Sequence, residues 1–170
     1  MAGLNTLQDL FEHELKDLYS AEKQLIAALP RMAKTASNEQ LRKAFESHLK
    51  ETEGHKERLE KIGEILDAKL TGHTCAAMKG LVEEAKDMIA EDAPDEVKDV
   101  GLIAQAQRVE HYEISGYGTA RALAERLGHA EVVKLLEKTL QEEKNADVKL
   151  TKLALGGIND EAATIENESR

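Results

Sequence analysis

The sequence predicts an all-α fold in which two helical hairpins pack together as one bundle. The chain has 170 residues, with only two prolines, no tryptophan and 3% aromatic residues, so its 41% hydrophobic content is largely Leu, Ala and other aliphatic residues. Such a composition favours helices over a sheet. Apolar residues also recur at helical spacing in long segments on either side of the chain's centre. The length suits a single domain with a substantial core.

The first predicted hairpin opens the chain. Its first helix covers about residues 4–34 and carries Glu22 on its apolar stripe. A kink or an early end is expected at Pro30, because proline interrupts helical hydrogen bonding. The second helix is predicted to begin with a capping box in which Ser37 is the N-cap and Gln40 is the N3 residue.

A crossover helix and a second hairpin follow. Residues 68–100 contain a shorter amphipathic stretch, which is predicted to return the chain to the end where the third long helix starts. The third and fourth long helices are predicted at about 95–127 and 130–155, and Gly128 suits the left-handed residue between them.

The domain organisation is simple. Residues 1–157 are predicted to form one bundle, which ends at Gly156 and Gly157, and residues 158–170 form a polar C-terminal tail. The two hairpins align as an internal repeat, and a duplicated hairpin joined by a long crossover is typical of a ferritin-like four-helix bundle.

Each long helix carries a glutamate 14 or 15 residues from the turn of its hairpin, taking the turns near Ala36 and Gly128. Because each residue advances a helix by about 1.5 Å, these acids are expected to share one layer. Buried carboxylates repel one another and lose hydration unless they take up protons or bind cations, and two divalent ions would neutralise four of them. The four acids are Glu22, Glu51, Glu113 and either Glu142 or Glu143, of which Glu143 better continues the apolar stripe.

Further candidate ligands lie near this layer. His48 is three residues before Glu51 and shares its helix face. Glu110, Asp147 and His55 lie 18 or 19 residues from their turns, so they are expected one turn below the main layer, as ligands or as groups that orient ligands. For His55 and His111 a structural or exposed role is favoured over a ligand role, and the role of His55 stays open. A carboxylate-rich site with few imidazoles favours iron or manganese over zinc. The predicted metal ligands are Glu22, His48, Glu51, Glu110, Glu113, Glu143 and Asp147.

Charge and cysteine content exclude several other functions. The net charge of −10 and the absence of a basic run argue against nucleic acid as a partner. The single cysteine, Cys75, has no partner for an intramolecular disulfide, and no apolar run approaches the length of a signal segment or a membrane span. A cytoplasmic protein without a membrane partner is expected.

Five strings around these residues are DLYSAEKQL, HLKETEGHKERL, CAAMKGLVEEA, RVEHYEISGYGT and LQEEKNADVKLTKLA. They resemble the YciF-like family of bacterial ferritin-like stress proteins. The resemblance covers about residues 4–155 and implies a cytoplasmic protein with a four-helix core and a crossover helix, commonly a dimer, linked to stress responses and thought to bind metal. The family usually carries Gln where this chain has His55, so the resemblance implies no ligand role for His55.

Three functions fit these observations. The first is a dimetal protein, with iron or manganese, that reacts with O₂ or peroxide in the manner of an oxidase or peroxidase. The second is a metal-sequestering stress protein without enzymatic activity. The third is a metal-free structural or adaptor bundle whose inward acids form salt bridges with lysines, although Lys50, Lys56 and Lys144 fall off the inward stripe.

Overall fold

The computed structural model describes residues 3–168 of the chain, and the side chains as far as Ile165. Every regular element in this range is helical, which confirms the all-α prediction. No described helix is both long enough and apolar enough to cross a membrane. The elements are α1 (Leu7–Thr35), α2 (Glu39–Leu66), α3 (Ala76–Ala90), α4 (Asp95–Arg126), α5 (Ala130–Leu153), a kinked segment (Ala154–Ile158) and α6 (Asn159–Glu168).

The first helix is longer than its proline suggests. Thr6 caps it, and Asp9 completes a capping box with the Thr6 backbone. Of the kink or early end expected at Pro30, the early end is wrong, because α1 continues to Thr35. Proline removes only one backbone donor, and the chain re-forms regular hydrogen bonds within the next turn, where the Ala36 N–H donates to the Met32 carbonyl at 3.0 Å.

The second helix begins one residue later than predicted. Asn38, not Ser37, is the N-cap, and its side-chain oxygen accepts hydrogen bonds from the backbone N–H groups of Gln40 and Leu41. Ser37 instead donates from its backbone N–H and its hydroxyl to Asp99 on α4. Two tertiary hydrogen bonds of Ser37 therefore replace the local capping box.

The two hairpin turns lie at opposite ends of the bundle. The contact of Asp99 with Ser37 places the start of α4 beside the α1–α2 turn. At the other end, the ring of His129 in the α4–α5 turn stacks on Phe11 near the start of α1, with 5.9 Å between ring centroids. The crossover helix α3 packs against α1 and α4 and returns the chain to the first end. This is the long-crossover connection of a ferritin-like bundle.

Two apolar clusters fill the bundle interior, one towards each end. The cluster near the α1–α2 turn contains Leu25, Leu29 and Phe45. The cluster near the α4–α5 turn contains Phe11 and Leu136. Each fully buried side chain of this size contributes about 1.5–3 kcal/mol. On α1, Glu22 lies between the two clusters and is itself fully buried.

The chain does not leave the bundle at its glycine pair. Gly157 adopts φ +139°, which interrupts helical geometry, but the next residue, Ile158, is buried in the cluster near the α1–α2 turn. The segment predicted as a polar tail then forms α6, which packs against α4. Met1, Ala2 and the last two residues of that tail lie outside the described residues.

Candidate metal centre

Six ionisable side chains meet in a polar layer halfway along the bundle. Each of the four long helices contributes at least one of them. None is more than 7% exposed, so the layer is shielded from solvent. The six are Glu22 on α1, His48 and His55 on α2, Glu110 and Glu113 on α4, and Glu143 on α5.

The buried stripe of α2 explains why two histidines face inward. At 3.6 residues per turn, buried positions that alternate between three and four residues apart stay on one face. Thr52 lies between the two histidines on this face, and its hydroxyl donates to the His48 carbonyl at 2.8 Å. The stripe consists of Leu41, Phe45, His48, Thr52, His55, Leu59 and Ile62.

The first group of candidate ligands lies between α2, α4 and α5. His48 Nε2 is 3.2 Å from Glu110 Oε1 and 3.9 Å from Glu143 Oε2. Together with Glu113, these residues each offer one donor atom, and all four atoms lie within 4.8 Å of one another. Three carboxylates and one imidazole so arranged suit a divalent transition-metal ion.

The second group lies between α1, α2 and α5. His55 Nδ1 is 3.5 Å from Glu22 Oε1 and 2.8 Å from Glu143 Oε1. These three residues again offer donor atoms within 4.8 Å of one another. Glu143 belongs to both groups, so its carboxylate lies between them. Two adjacent ligand groups that share a carboxylate have the composition of a two-metal site.

Hydrogen bonding inside the layer is incomplete. Both oxygens of Glu113 and Glu143 and both ring nitrogens of His48 lack a hydrogen bond of suitable geometry to any described residue. One oxygen of Glu22 and one of Glu110 are unpaired in the same way. Buried polar atoms in folded proteins nearly always have partners, and leaving one unpaired costs about 1–3 kcal/mol. The donor set therefore fits bound cations, which would engage these atoms.

Burial raises the pKa of three of the four acids. Loss of hydration is the main cause for Glu110, Glu113 and Glu22. Repulsion adds to it, chiefly from Glu143 on Glu110 and from Glu22 on Glu113. Carboxyl groups in such surroundings hold their protons unless a positive charge takes the protons' place.

His55 supplies part of the missing positive charge. Burial alone would lower its pKa, but Glu143 and Glu22 outweigh that effect and raise the pKa to about 10. Burial alone would likewise raise the pKa of Glu143, and interaction with His55 reverses this, so that the pKa is lowered. One imidazolium compensates only one of four carboxylates. It lies with Glu22 and Glu143, away from Glu110 and Glu113.

Residues around the layer hold its ligands in place. His55 Nε2 lies 3.1 Å from Glu142 Oε2, and Arg58 donates to both Glu142 and Thr139. The buried hydroxyl of Tyr117 donates to Glu22. Carboxylates that hydrogen-bond the far nitrogen of a histidine commonly fix its orientation in metal sites. Glu142 thus lies outside the layer but orients one of its members.

Glu51, predicted to share the layer, lies outside it. Its side chain is 45% exposed, and among the described residues its carboxylate pairs only with His48, with 3.5 Å between Oε2 and Nδ1. Glu51 precedes the inward-facing Thr52 by one residue, which rotates it by about 100° around the helix axis. Thr52 therefore occupies the central inward position that the sequence analysis assigned to Glu51.

Asp147 also lies beside the layer rather than in it. Its Oδ1 accepts a hydrogen bond from Gln107 at 3.0 Å and lies 3.4 Å from the exposed ring of His111. Neither group of candidate ligands includes Asp147. The structure brings together the other predicted ligands, Glu22, His48, Glu110, Glu113 and Glu143.

His55, which the sequence analysis left out of the predicted metal ligands, belongs to the second group. Counting from the two turns placed His55 and Glu110 at the same depth below the layer. Because the turns lie at opposite ends, Glu110 is instead displaced towards the α1–α2 turn, where it meets His48, and His55 is displaced the other way. The spacing of seven residues between His48 and His55, about two helical turns, was the available signal that both share one face.

Comparison with known proteins identifies close relatives. The family model described as "Domain of unknown function (DUF892)" matches residues 6–163. Protein YciF of Escherichia coli K12 is 49% identical over 161 residues, which cover 94% of this chain and 97% of that protein. The crystal structure of the E. coli stress protein YciF matches with a TM-score of 0.88, over 91% of this chain and 98% of that one.

Two further solved structures share the fold. YcfI of Rhodopseudomonas palustris, for which a structural role is suggested, matches with a TM-score of 0.85 at 43% identity, over 88% of this chain and 96% of that one. A protein from Xanthomonas campestris matches with a TM-score of 0.72 over 97% of this chain and 100% of that one. At 19% identity, this last similarity concerns the fold alone.

Proposed function

The chain belongs to the YciF-like, or DUF892, family of bacterial ferritin-like stress proteins, and from this premise we propose that its polar layer binds two divalent transition-metal ions. The observation that carries the proposal is the pair of buried ligand groups that share Glu143. Four carboxylates and two imidazoles form an oxygen-rich donor set, which suits iron or manganese.

The residues of the chain have distinct parts in this proposal. Glu143 would contact both ions, and the other five residues would each contact one. The contact between His55 and Glu142 keeps Nδ1 of His55 directed at the layer. The apolar clusters on either side exclude water and strengthen every charge interaction inside.

The reaction we propose is with O₂ or hydrogen peroxide. Bound iron would supply an oxidation–reduction couple and open coordination positions for such a molecule. Tyr117, hydrogen-bonded to Glu22 in a buried position, is placed to hold a proton at the edge of the layer. Sequestration of metal without turnover is the simpler form of the same proposal.

A metal-free structural role is the second candidate, and His55 favours it. As an imidazolium between Glu22 and Glu143, His55 forms the inward salt bridge that no lysine provides among the described residues. It also agrees with the role suggested for the R. palustris relative. However, it leaves Glu110 and Glu113 without a matching charge, and this favours the metal-binding proposal.

Native mass spectrometry with elemental analysis tests the proposal. Metal-free protein is reconstituted anaerobically with Fe(II) or Mn(II), and two ions per chain are expected. Because both ligand groups include Glu143, Glu143→Gln should weaken the binding of both ions. Glu22→Gln should mainly remove the ion of the group that contains His55, and Glu113→Gln the ion of the group that contains His48. Glu53→Gln, at an exposed position on α2, is the matched control and should keep both ions.

Two outcomes decide between the candidates. If reconstituted wild-type protein holds no transition metal and keeps its melting temperature, the metal-binding proposal fails and the structural role remains. Metal that binds only the folded state must raise the melting temperature by mass action. With iron bound, faster consumption of O₂ or peroxide than by free Fe(II) distinguishes a reactive centre from sequestration.

The proposal extends to the setting in which the protein works. We infer a homodimer in the bacterial cytoplasm that participates in a stress response, with metal ions as its partners and without nucleic acid or membrane. The family resemblance and the charge of −10 support this setting. The native mass measured in the same experiment tests the dimer.

A further inference from the structure

An apolar cavity lies beside the polar layer, on the side of the α1–α2 turn. Its volume is about 90 Å³, and all four long helices line it. The walls offer almost no hydrogen-bonding groups along most of their length. They are formed mainly by Leu25, Leu29, Phe45, Val109 and Leu150.

The polar residues that line the cavity differ in burial. His48 and Glu110 are both more than nine-tenths buried, and both carry atoms without a hydrogen-bond partner among the described residues. Glu51, Asn145 and Lys149 also line the cavity and are exposed, and Glu51 Oε2 lies 3.5 Å from His48 Nδ1. The cavity therefore leads from the surface between α2 and α5 to the edge of the polar layer.

The size of the cavity restricts what it can hold. A closed apolar cavity of about 150 Å³ accommodates benzene, so 90 Å³ accepts a smaller molecule. Water does not suit the apolar part of the cavity, because a buried water needs two to four polar partners and the apolar walls provide none. A four-carbon alcohol has about the right volume and matches the apolar body of the cavity with one polar end.

We propose that this cavity binds a small neutral organic molecule, an alcohol of about four carbons, with its hydroxyl group directed at His48 and Glu110. A hydroxyl both donates and accepts, so it can pair with a carboxylate oxygen and with a ring nitrogen. A carboxylate or an ammonium group would lose its hydration against the apolar walls, so a neutral molecule is favoured. Binding at this site goes beyond metal binding and does not require it.

Methyl NMR of the full-length, metal-free protein tests the proposal, with 1-butanol as the probe. Saturable shifts are expected for the methyl groups of Leu25, Leu29, Val109 and Leu150. Intermolecular NOEs should connect the CH₂OH protons of 1-butanol to the ring protons of His48. They should also connect its terminal methyl protons to Met32, which lines the cavity as well. Butanoate, which carries a charge in place of the hydroxyl, should bind at least tenfold more weakly.

A cavity-filling variant and a matched control make the test specific. Ala106 is buried and lines the cavity, so Ala106→Leu should weaken 1-butanol binding at least tenfold. Ala104→Leu, at an exposed position two residues away, should leave it unchanged. If Ala106→Leu fails to fold, Ala44→Val provides a smaller filling change in the same cavity.

The outcomes separate this proposal from the metal-binding proposal. Absence of saturable shifts in the wild type overturns it, as do equal binding by the filled variant or NOEs that place the hydroxyl group away from His48. A protein that binds 1-butanol but no metal keeps the cavity site and loses the dimetal centre. A protein that binds metal but no alcohol does the reverse.

Discussion

Asp99 and Glu113 lie on the same helix and are both buried, yet their surroundings differ completely. Asp99 accepts hydrogen bonds from Ser37 N, Ser37 Oγ and Asn38 N at 2.9, 2.6 and 2.7 Å. Neither oxygen of Glu113 has any partner among the described residues. Hydrogen bonding rather than burial therefore distinguishes a carboxylate that holds the fold together from one that is available to a ligand.

The surroundings of the two acids explain this difference. Asp99 faces a turn, where the chain offers free backbone N–H groups that must be satisfied. Glu113 faces the middle of three other helices, whose backbone groups already pair within each helix. An acid in that position has only side chains or bound ions as partners, so a polar layer in mid-bundle is destabilising until something binds there.

The largest expected effect on the free energy of unfolding comes from Asp99, the acid whose hydrogen bonds are complete. Asp99→Ala leaves two backbone N–H groups and one hydroxyl without their acceptor and should lower the free energy of unfolding by about 3 kcal/mol. Metal-free and metal-loaded protein should lose the same amount, because Asp99 does not contact the layer. Urea denaturation measures it; Asp95→Ala, at an exposed position in the first turn of α4, is the control. A loss of stability only in the metal-loaded form would contradict the conclusion that Asp99 stabilises the fold independently of the polar layer.

An intermediate effect is expected in the pH dependence of stability, which the unpaired acids of the polar layer control. Burial raises the pKa values of Glu110 and Glu113 above the ordinary 4.5. Charging these two buried acids destabilises the fold, so this loss of stability is absent below pH 4.5 and grows as pH rises through the folded-state pKa values. The raised pKa of His55, about 10 against an ordinary 6.5, acts in the same direction, because its stabilising charge is lost as pH rises through 10. Metal-free protein should therefore lose about 1–2 kcal/mol between about pH 6 and pH 9.

Thermal unfolding across this pH range provides the measurement. Glu113→Gln removes one of the raised acids, so it should stabilise the metal-free protein at the alkaline end and flatten the pH dependence. Metal-loaded protein should show the opposite trend, because metal binding requires deprotonated ligands and strengthens as pH rises. Metal-free protein that becomes more stable towards pH 9 would contradict the unpaired state of these acids.

The smallest expected effect is at Glu51. This half-exposed acid contacts only His48 among the candidate ligands, so Glu51→Gln should change the free energy of unfolding by less than about 0.5 kcal/mol. The number of bound ions should stay the same as in wild type. Elemental analysis of both proteins after identical reconstitution makes the comparison. Loss of an ion in Glu51→Gln would show that Glu51 is a metal ligand, as the sequence analysis predicted.

Helix periodicity by itself determined much of the fold. The stripes on α1, α2 and α5 follow from residues 3.6 to a turn, and Gly128 adopts the left-handed φ of +82° that its place between two helices requires. The depth of Glu22, Glu113 and Glu143 also followed from sequence. A residue at the middle of a helix lies at the middle of the bundle whichever end its turn occupies.

Only the tertiary structure decided which neighbours of that layer enter it. Away from mid-helix, depth depends on chain direction, and the contact of Asp99 with Ser37 that reveals this direction joins residues 62 apart in the sequence. The choice between Glu51 and Thr52 depended on a rotation of about 100° about α2, set by how its whole stripe packs against three other helices. Periodicity determines which residues share a face, whereas packing determines where that face points.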